Sequence, residues 1–315
     1  MHAFSIRLSR VASSVAIAAA AYIIVVLIVG GDEIRIAASR LDISCLIVSL
    51  ALSLVHFSLR YLRWRYFLRS FGHRLRLPVD IVHYLAGFAL TTTPGKAGET
   101  IRSIYLRDHG VRYSDSLAAF FSERLLDVLV VSLLATLIAE KFVDGRWLTG
   151  IAGVAVVIVL VVVRNKYVIG QLDTLASSAD SSKVTKTIGG IGRILRASSL
   201  LLRVHSVCLG MALGCGAWLA QAIGFFVIAS GLGIDVPMIA AIGIYTASIL
   251  VGAFSMIPGG IGSTETAMTL LLITFGADTP TAVTAAILSR LATIWFAVAI
   301  GLTATALLEL GRSRA

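Results

Sequence analysis

Residues 93–100 read T-P-G-K-A-G-E-T, and residues 257–266 read I-P-G-G-I-G-S-T-E-T. Each stretch places a Pro-Gly break, a further glycine and a glutamate between apolar segments. With a two-residue insertion, Pro94 aligns with Pro258 and Glu99 aligns with Glu265, at offsets of 164–166 residues. The chain therefore contains two related units, each built around one Pro-Gly break.

A second pair of matching stretches follows the two breaks. F-S-E-R-L at 121–125 resembles I-L-S-R-L at 287–291, which aligns Arg124 with Arg290. Ordered correspondences at nearly one offset indicate an internal duplication. We predict repeat one over residues 43–139 and repeat two over residues 204–308, with a cytoplasmic loop at 164–203 between them.

The composition around these units is that of a membrane protein. The chain is 57% hydrophobic and 14% charged, whereas a soluble domain carries about 25% charged residues. Its charge-free stretches reach the ~17–25 residues that cross a bilayer. The predicted fold is an all-α polytopic membrane protein with about six transmembrane helices, at residues 11–31, 43–59, 116–139, 147–163, 204–233 and 280–308.

The positions of the 27 Lys and Arg residues set the orientation. With the N-terminus in the cytoplasm, most of them fall on the cytoplasmic side, and the opposite side receives only Arg35, Arg40, Lys141 and Arg146. This asymmetry follows the positive-inside bias. We predict a multi-pass protein of the cell (inner or plasma) membrane with both termini cytoplasmic, and the basic residues are explained without a nucleic-acid partner.

Each Pro-Gly break lies between two apolar arms that do not cross the membrane comfortably as a single straight helix with the break in its middle. The arms are residues 81–93 and 100–106 at the first break, and 238–257 and 266–276 at the second. Backbone groups freed by such a break must face protein or a wet cavity. We predict two re-entrant hairpins in inverted repeats, a plan that places a substrate site near the membrane midplane.

Ionisable residues within the spans are the candidates for function, because charges in hydrocarbon are costly. Arg124 and Asp127 lie three residues apart on one helix face. We predict that Arg124 pairs with Glu99 and that Arg290 pairs with Glu265, so that a lipid phosphate competes for the arginines. The alternative is that both pairs only lock each hairpin to its span. The candidate substrate-binding or translocation residues are Pro94, Gly95, Lys96, Glu99, Arg102, Arg124, Asp127, Pro258, Gly259, Glu265 and Arg290.

A basic and aromatic cluster ends the second predicted span. It contains Arg60, Arg63, Arg65, Arg69, Arg74 and Arg76, interleaved with Tyr61, Trp64, Tyr66 and Phe67. One interpretation is an anchor at the membrane surface, with an aromatic belt. The other is a patch that gathers anionic lipid headgroups.

The sequence offers little for catalysis. The first break lacks the G-x-x-x-x-G-K-[ST] phosphate loop. The six histidines are scattered, and His56, His83 and His205 near span ends are interpreted as interfacial. A nucleophile with a matching base is missing from the sequence pattern. We therefore expect no enzyme activity, no metal and no cofactor.

Taken together, T-P-G-K-A-G-E with S-E-R-L-L-D, and P-G-G-I-G-S-T-E with L-S-R, resemble the lysylphosphatidylglycerol synthase transmembrane (flippase-like) family. The resemblance covers nearly the whole chain. Larger members carry a soluble aminoacyl-transferase domain, which this sequence lacks, so the resemblance implies a stand-alone member that moves lipid rather than synthesising it.

The resemblance implies a flippase or transporter that moves a phospholipid, hopanoid or lipid-linked compound across or between membranes. Its partners would be membrane lipids, anionic or lipid-linked. Two alternatives remain: a non-transporting partner of a lipid synthase or glycosyltransferase, and a membrane enzyme that modifies lipid headgroups with Glu99 or Glu265 as base.

Overall fold

The computed structural model describes residues 36–139 and 183–313, together with single positions at 32, 34, 150, 153, 154, 158 and 161. The predicted spans 11–31 and, apart from those single positions, 147–163 lie outside this part of the chain, as does most of the first half of the 164–203 loop. Within the described residues every regular element is helical, which confirms the all-α prediction.

The first half begins with α1 (Ile43–Ser70), which is followed by α2 (Leu77–Ala86) and a 3₁₀ turn at Gly87–Leu90. A longer 3₁₀ segment, Pro94–Ile101, contains the first break and leads into α3 (Arg102–Arg107) and α4 (Tyr113–Ala139). A separate helix, α5 (Lys183–Leu201), connects this half with the second and packs against α4.

The second half repeats this order. It consists of α6 (Val204–Gly231), α7 (Met238–Phe254), a 3₁₀ turn at Pro258–Gly260, α8 (Ser263–Ile273) and α9 (Thr279–Arg290). A π-helical segment, Leu291–Trp295, then continues into α10 (Phe296–Ser313). In both halves, therefore, a break follows a helix and precedes a short one; the re-entrant path of these helices through a membrane stays a prediction.

Side-chain caps explain where two of the helices start. The Asp42 carboxylate accepts the backbone N–H of Ser44 at 2.9 Å before α1. The Asp278 carboxylate accepts the backbone N–H of Thr281 at 3.1 Å before α9, where Pro280 has no N–H to leave unbonded. Such caps satisfy amide groups that the first helical turn cannot pair internally.

The helix that contains the predicted second span is longer than that span. The prediction ended the span at residue 59, whereas α1 continues to Ser70, and Arg60 and Arg63 in this extension have partners inside the protein. Three of the described helical stretches are long and apolar enough to cross a membrane: Ile43–Ser70, Val204–Gly231 and Thr279–Leu310. The outward side chains of α1 are apolar, with Ile43, Ile47 and Leu54 largely exposed.

The two halves pack against each other through equivalent elements. Helix α1 lies along α6, the two break segments touch, α4 packs on α7, and α10 packs on α2 with its following turn. Small residues allow the closest approach, since a Cβ on Gly224 would lie 3.0 Å from the Ser49 hydroxyl. Close contact at small residues is the usual basis of helix association in membranes.

The π-helical segment is held by the other half of the molecule. The Ser53 hydroxyl on α1 donates to the Ala292 carbonyl at 2.7 Å. Isolated π turns within α-helices are frequently found at functional sites. This one directly follows Arg290, and its Ile294 side chain lies next to Gly259 of the second break.

Candidate functional site

The two breaks, α1, α4, α6, α7 and the π-helical segment surround a cavity of about 460 Å³. The wall consists mainly of apolar side chains. Its charged lining residues are four cations and one carboxylate: Arg60, Lys96, Arg124, Arg290 and Asp127. The cavity therefore combines an apolar surface with an excess of positive charge.

Two carboxylates of the first half gather the arginines of α1 and α4. Asp127 accepts Arg63 Nη2 at 2.6 Å through Oδ1, and its Oδ2 lies 3.0 Å from Arg124 Nη2. Glu99 is fully buried, and its Oε2 lies 3.5 Å from Arg60 Nη2 and 3.9 Å from Arg124 Nη2. The predicted pair of Arg124 and Glu99 is thus present at long range, while Asp127 is the closer partner of Arg124.

Glu99 does not cap the helix that follows the first break. Its Oε1 accepts the Thr91 hydroxyl at 2.8 Å. Because Thr91 precedes the break and Glu99 follows it, this hydrogen bond closes the loop between the two arms. Glu99 therefore both fixes the local chain path and supplies a negative charge to the arginines.

Arg102 points away from the cavity. Its Nη2 donates to Glu123 Oε2 at 2.7 Å, and its guanidinium carbon lies 3.6 Å from the centre of the Trp64 ring. A buried guanidinium between an aromatic face and a carboxylate is well stabilised. Arg102 thus connects α3 with α1 and α4. It was predicted as a site residue, but in the structure it holds these helices together.

Among the described residues, one ion pair joins α9 to the segment after the second break. Arg290 Nε donates to Glu265 Oε1 at 3.0 Å, so the predicted pairing of these two residues is present in the structure. Arg290 Nη2 also donates to the Gly259 carbonyl. Glu265 Oε2 accepts the Gly262 backbone N–H at 2.7 Å at the start of α8. Arg290 is therefore bound on both sides to the second break.

The remaining predicted residues divide by position. Lys96 and Gly259 line the cavity, whereas Pro258 lies between the lining residues Ile257 and Gly259 without lining it. Pro94 and Gly95 begin the first 3₁₀ segment. Lys96 is held with a φ of 56°, a conformation that is rare for residues other than glycine.

Sequence reasoning placed Arg60 and Arg63 at the membrane surface, and this was wrong. Both are buried, with 2% and 0% of the residue exposed, whereas Arg69, Arg74 and Arg76 of the same cluster are exposed. A helical signal was present in the sequence: His56, Arg60, Arg63 and Phe67 recur at spacings of three and four residues, as on one helix face.

A neutral polar wall faces the charged one, and sequence reasoning missed it. Tyr245 donates its hydroxyl to Gln221 Oε1 at 2.9 Å, and Trp218 Nε1 donates to Asp127 Oδ1 at 3.2 Å. His56 is buried rather than interfacial, and its Nδ1 lies 2.8 Å from the Ala217 carbonyl. These side chains come from α1, α6 and α7, and only the packing of these three helices brings them to one wall.

The described residues contain no group of three His, Cys, Asp or Glu side chains placed to hold a metal ion. The acidic residues that meet at the cavity are each engaged by arginines. The arrangement can bind an anion and an apolar chain together.

Comparisons with known proteins identify similar membrane proteins. The family model described as the lysylphosphatidylglycerol synthase TM region matches residues 11–301. A UPF0104 membrane protein of Pyrococcus horikoshii is 24% identical over 83% of this chain and 86% of its own length. A UPF0104 membrane protein of Methanothermobacter thermautotrophicus is 22% identical over 89% of this chain and 90% of its own length. The chain is therefore similar to membrane proteins over almost its whole length.

Proposed function

Because the chain belongs to the lysylphosphatidylglycerol synthase transmembrane-region family, we propose that it translocates a lipid through the cavity between its two breaks. The substrate would be a phospholipid, a hopanoid or a lipid-linked compound that crosses, or passes between, membranes. The observation that carries this proposal is the lining of the cavity, which offers a cationic site for a headgroup beside apolar walls for a chain.

The repeat architecture supports movement rather than static binding. The break segments touch each other, and each half contributes one helix that packs on the arm before the other half's break: α10 packs on α2 and its following turn, and α4 packs on α7. Transporters built from repeats commonly alternate access by moving one repeat against the other around a central site. In the proposed orientation the protein lies in a cell membrane with both termini on the cytoplasmic side, which the distribution of Lys and Arg supports.

The non-transporting partner and the headgroup-modifying enzyme are weaker candidates. A subunit that only supports a synthase or glycosyltransferase needs no internal space, yet the cavity holds about 460 Å³. An enzyme would need an available base. Glu265 instead binds Arg290 and the Gly262 amide, and Glu99 accepts the Thr91 hydroxyl and lies beside Arg60. Transport is therefore the function that the geometry favours.

The test is lipid translocation in proteoliposomes that contain the purified protein. Fluorescent phosphatidylglycerol, phosphatidylcholine and a polyprenyl phosphate would be present in both leaflets, and a membrane-impermeant quencher would report exchange. Ala253→Trp fills the cavity from α7, while Val251→Trp, on the same helix but outside the cavity lining, is the matched control.

We expect the wild type and Val251→Trp to move one lipid class and Ala253→Trp to move none. Failure of the folded wild type to move any of the three lipids, with or without a proton or sodium gradient, would refute autonomous translocation. Equal rates for both tryptophan variants would show that lipid does not pass through this cavity.

A further inference from the structure

We propose that the cavity selects a lipid with a phosphate in its headgroup, and that Arg60 and Lys96 of the first half receive this phosphate. This proposal rests on the lipid translocation proposed above and names the substrate class of the same site. Arg290, the most evident intramembrane arginine of the sequence, is instead a positioning residue that holds the second break.

The buried charged cluster of the first half has an excess of positive charge. It contains five cations and three carboxylates: Arg60, Arg63, Arg102, Arg124 and Lys96, with Glu99, Glu123 and Asp127. In the second half, Arg290 and Glu265 cancel. Uncompensated buried charge is strongly unfavourable, so a ligand that brings negative charge would stabilise the occupied site.

Arg60 and Arg124 both line the cavity with buried N–H groups that have no hydrogen-bond partner among the described residues. Arg124 has the Asp127 carboxylate at 3.0 Å, whereas Arg60 has no carboxylate oxygen of the described residues closer than 3.5 Å. Arg60 is 2% exposed and has no hydrogen-bond acceptor in place in the described part of the chain. Its Nε and Nη2 are buried without a partner, and the nearest carboxylate oxygens lie 3.5 and 3.9 Å away. Buried donors of this kind are costly unless something completes them.

Lys96 supplies a second, separate cation. Its ammonium group lies 5.9 Å from the centre of the Trp218 ring and forms no ion pair with the described residues. Its backbone has a φ of 56° at the first break, so the chain path of the break determines where the side chain starts. Gly260 stands at the equivalent place in the second break, so this cation belongs to one half only.

Arg290 differs from both. Its Nε and Nη2 already bind Glu265 and the Gly259 carbonyl, so a ligand would have to displace partners that hold the chain of the second break. Phosphate oxygens match the guanidinium of Arg60 and the point charge of Lys96 without such a displacement. The apolar walls then favour a phosphate attached to a lipid chain over a free ion.

The test measures binding by the intact purified protein in an uncharged maltoside detergent. The probes are short-chain phosphatidylglycerol, a diacylglycerol of the same chain length and inorganic phosphate, each titrated against thermal stability. The variants are Lys96→Gln, the charge-conserving Lys96→Arg, and Arg69→Gln as a control from the exposed face of α1. Translocation is measured on the same preparations.

We expect phosphatidylglycerol to stabilise the wild type, with binding about tenfold weaker in Lys96→Gln and close to wild type in Lys96→Arg and Arg69→Gln. Because Lys96 is absent from the ion pairs, its variants should fold. Equal binding of diacylglycerol, or unchanged binding in Lys96→Gln, would overturn the proposal. Equal stabilisation by inorganic phosphate would show that the ligand is a free ion.

The two proposals fail separately. Lys96-dependent binding of phosphatidylglycerol without translocation would support the phosphate site and refute transport. Translocation that is unchanged in Lys96→Gln would support transport and refute the phosphate site.

Discussion

The two breaks share their sequence pattern but use their glutamates differently. Glu99 of the first half is fully buried, bonded to Thr91, and surrounded by arginines from α1 and α4. Glu265 of the second half lies at the start of α8 and binds Arg290. The equivalent glutamates therefore have different surroundings. The first lies in a network with several arginines, and the second forms a neutral pair with one arginine.

The backbones of the breaks differ in the same sense. The second break relies on Gly259, Gly260 and Gly262, all with positive φ. The first reaches positive φ at Lys96, which carries a charge into the cavity. The second half thus fixes the chain path, while the proposed phosphate site lies in the first half, and four substitutions test this division.

Asp127→Ala should have the largest effect, because it removes the closest acid of Arg63 and Arg124 from the first half. Removing one partner of a buried pair typically costs about 3–5 kcal/mol. The free energy of unfolding in mixed detergent micelles would measure this loss. The exposed Asp235→Ala is the control and should stay within about 0.5 kcal/mol of the wild type. A loss for Asp127→Ala as small as the control's would mean that the network does not act as a unit.

Gly260→Ala should have the next largest effect. The equivalent residue of the first break, Lys96, carries a side chain, whereas the surroundings of Gly260 leave no space for a Cβ. A Cβ there would lie 2.6 Å from the Thr264 hydroxyl and 3.1 Å from Gly252 Cα, at a φ of +64°. Positive φ and overpacking together should lower the free energy of unfolding by about 2–4 kcal/mol. Gly262→Ala shares the positive φ but meets nothing within 4 Å, so it separates the two causes. Equal losses in both variants would leave backbone strain as the sole cause.

Glu265→Gln should cost less, about 1–3 kcal/mol, because the amide oxygen still accepts the Gly262 N–H while the charge opposite Arg290 is lost. A double-mutant cycle with Arg290→Gln should show coupling of the same size. A cycle that combines Glu265→Gln with Arg124→Gln should be additive within about 0.5 kcal/mol. Strong coupling in this second cycle would contradict the independence of the two halves.

Lys96→Gly should have the smallest effect on stability and the opposite sign. It relieves positive φ in a residue with a side chain, so the free energy of unfolding should rise by about 1 kcal/mol. The neighbouring Ala97→Gly, which gains no such relief, should lower it by about 0.5–1 kcal/mol. Thermal unfolding of both variants would decide. A destabilised Lys96→Gly would show that the lysine supports the fold rather than the ligand.

Much of this fold could be predicted from local patterns. Composition and span length gave the all-α membrane class, and the repeated Pro-Gly-to-Glu pattern located both breaks. The pairing of Arg290 with Glu265 followed from the cost of a lone charge in a span. These are inferences from elements that carry their own signal in sequence.

The charged network of the first half could not be predicted in this way. Arg60 and Arg63 sit among surface arginines in the sequence, and only the partners supplied by the first break and α4 bury them. Likewise, Gln221 and Tyr245 join one wall through the packing of α6 and α7. Side chains that owe their burial to residues far along the chain leave only a weak helical spacing as a signal.

The π-helical segment after Arg290 sets the phase of everything that follows it. A π turn accommodates more residues than an α turn, so the extra residue is absorbed within Leu291–Trp295. Deleting one residue between Phe296 and Gly301, in contrast, would rotate the rest of α10 by about 100° relative to α9. Gly301, whose missing Cβ lets α10 approach the backbone of Ala89, would then face elsewhere. The helical register after Arg290 therefore determines how α10 of the second half docks onto the first half.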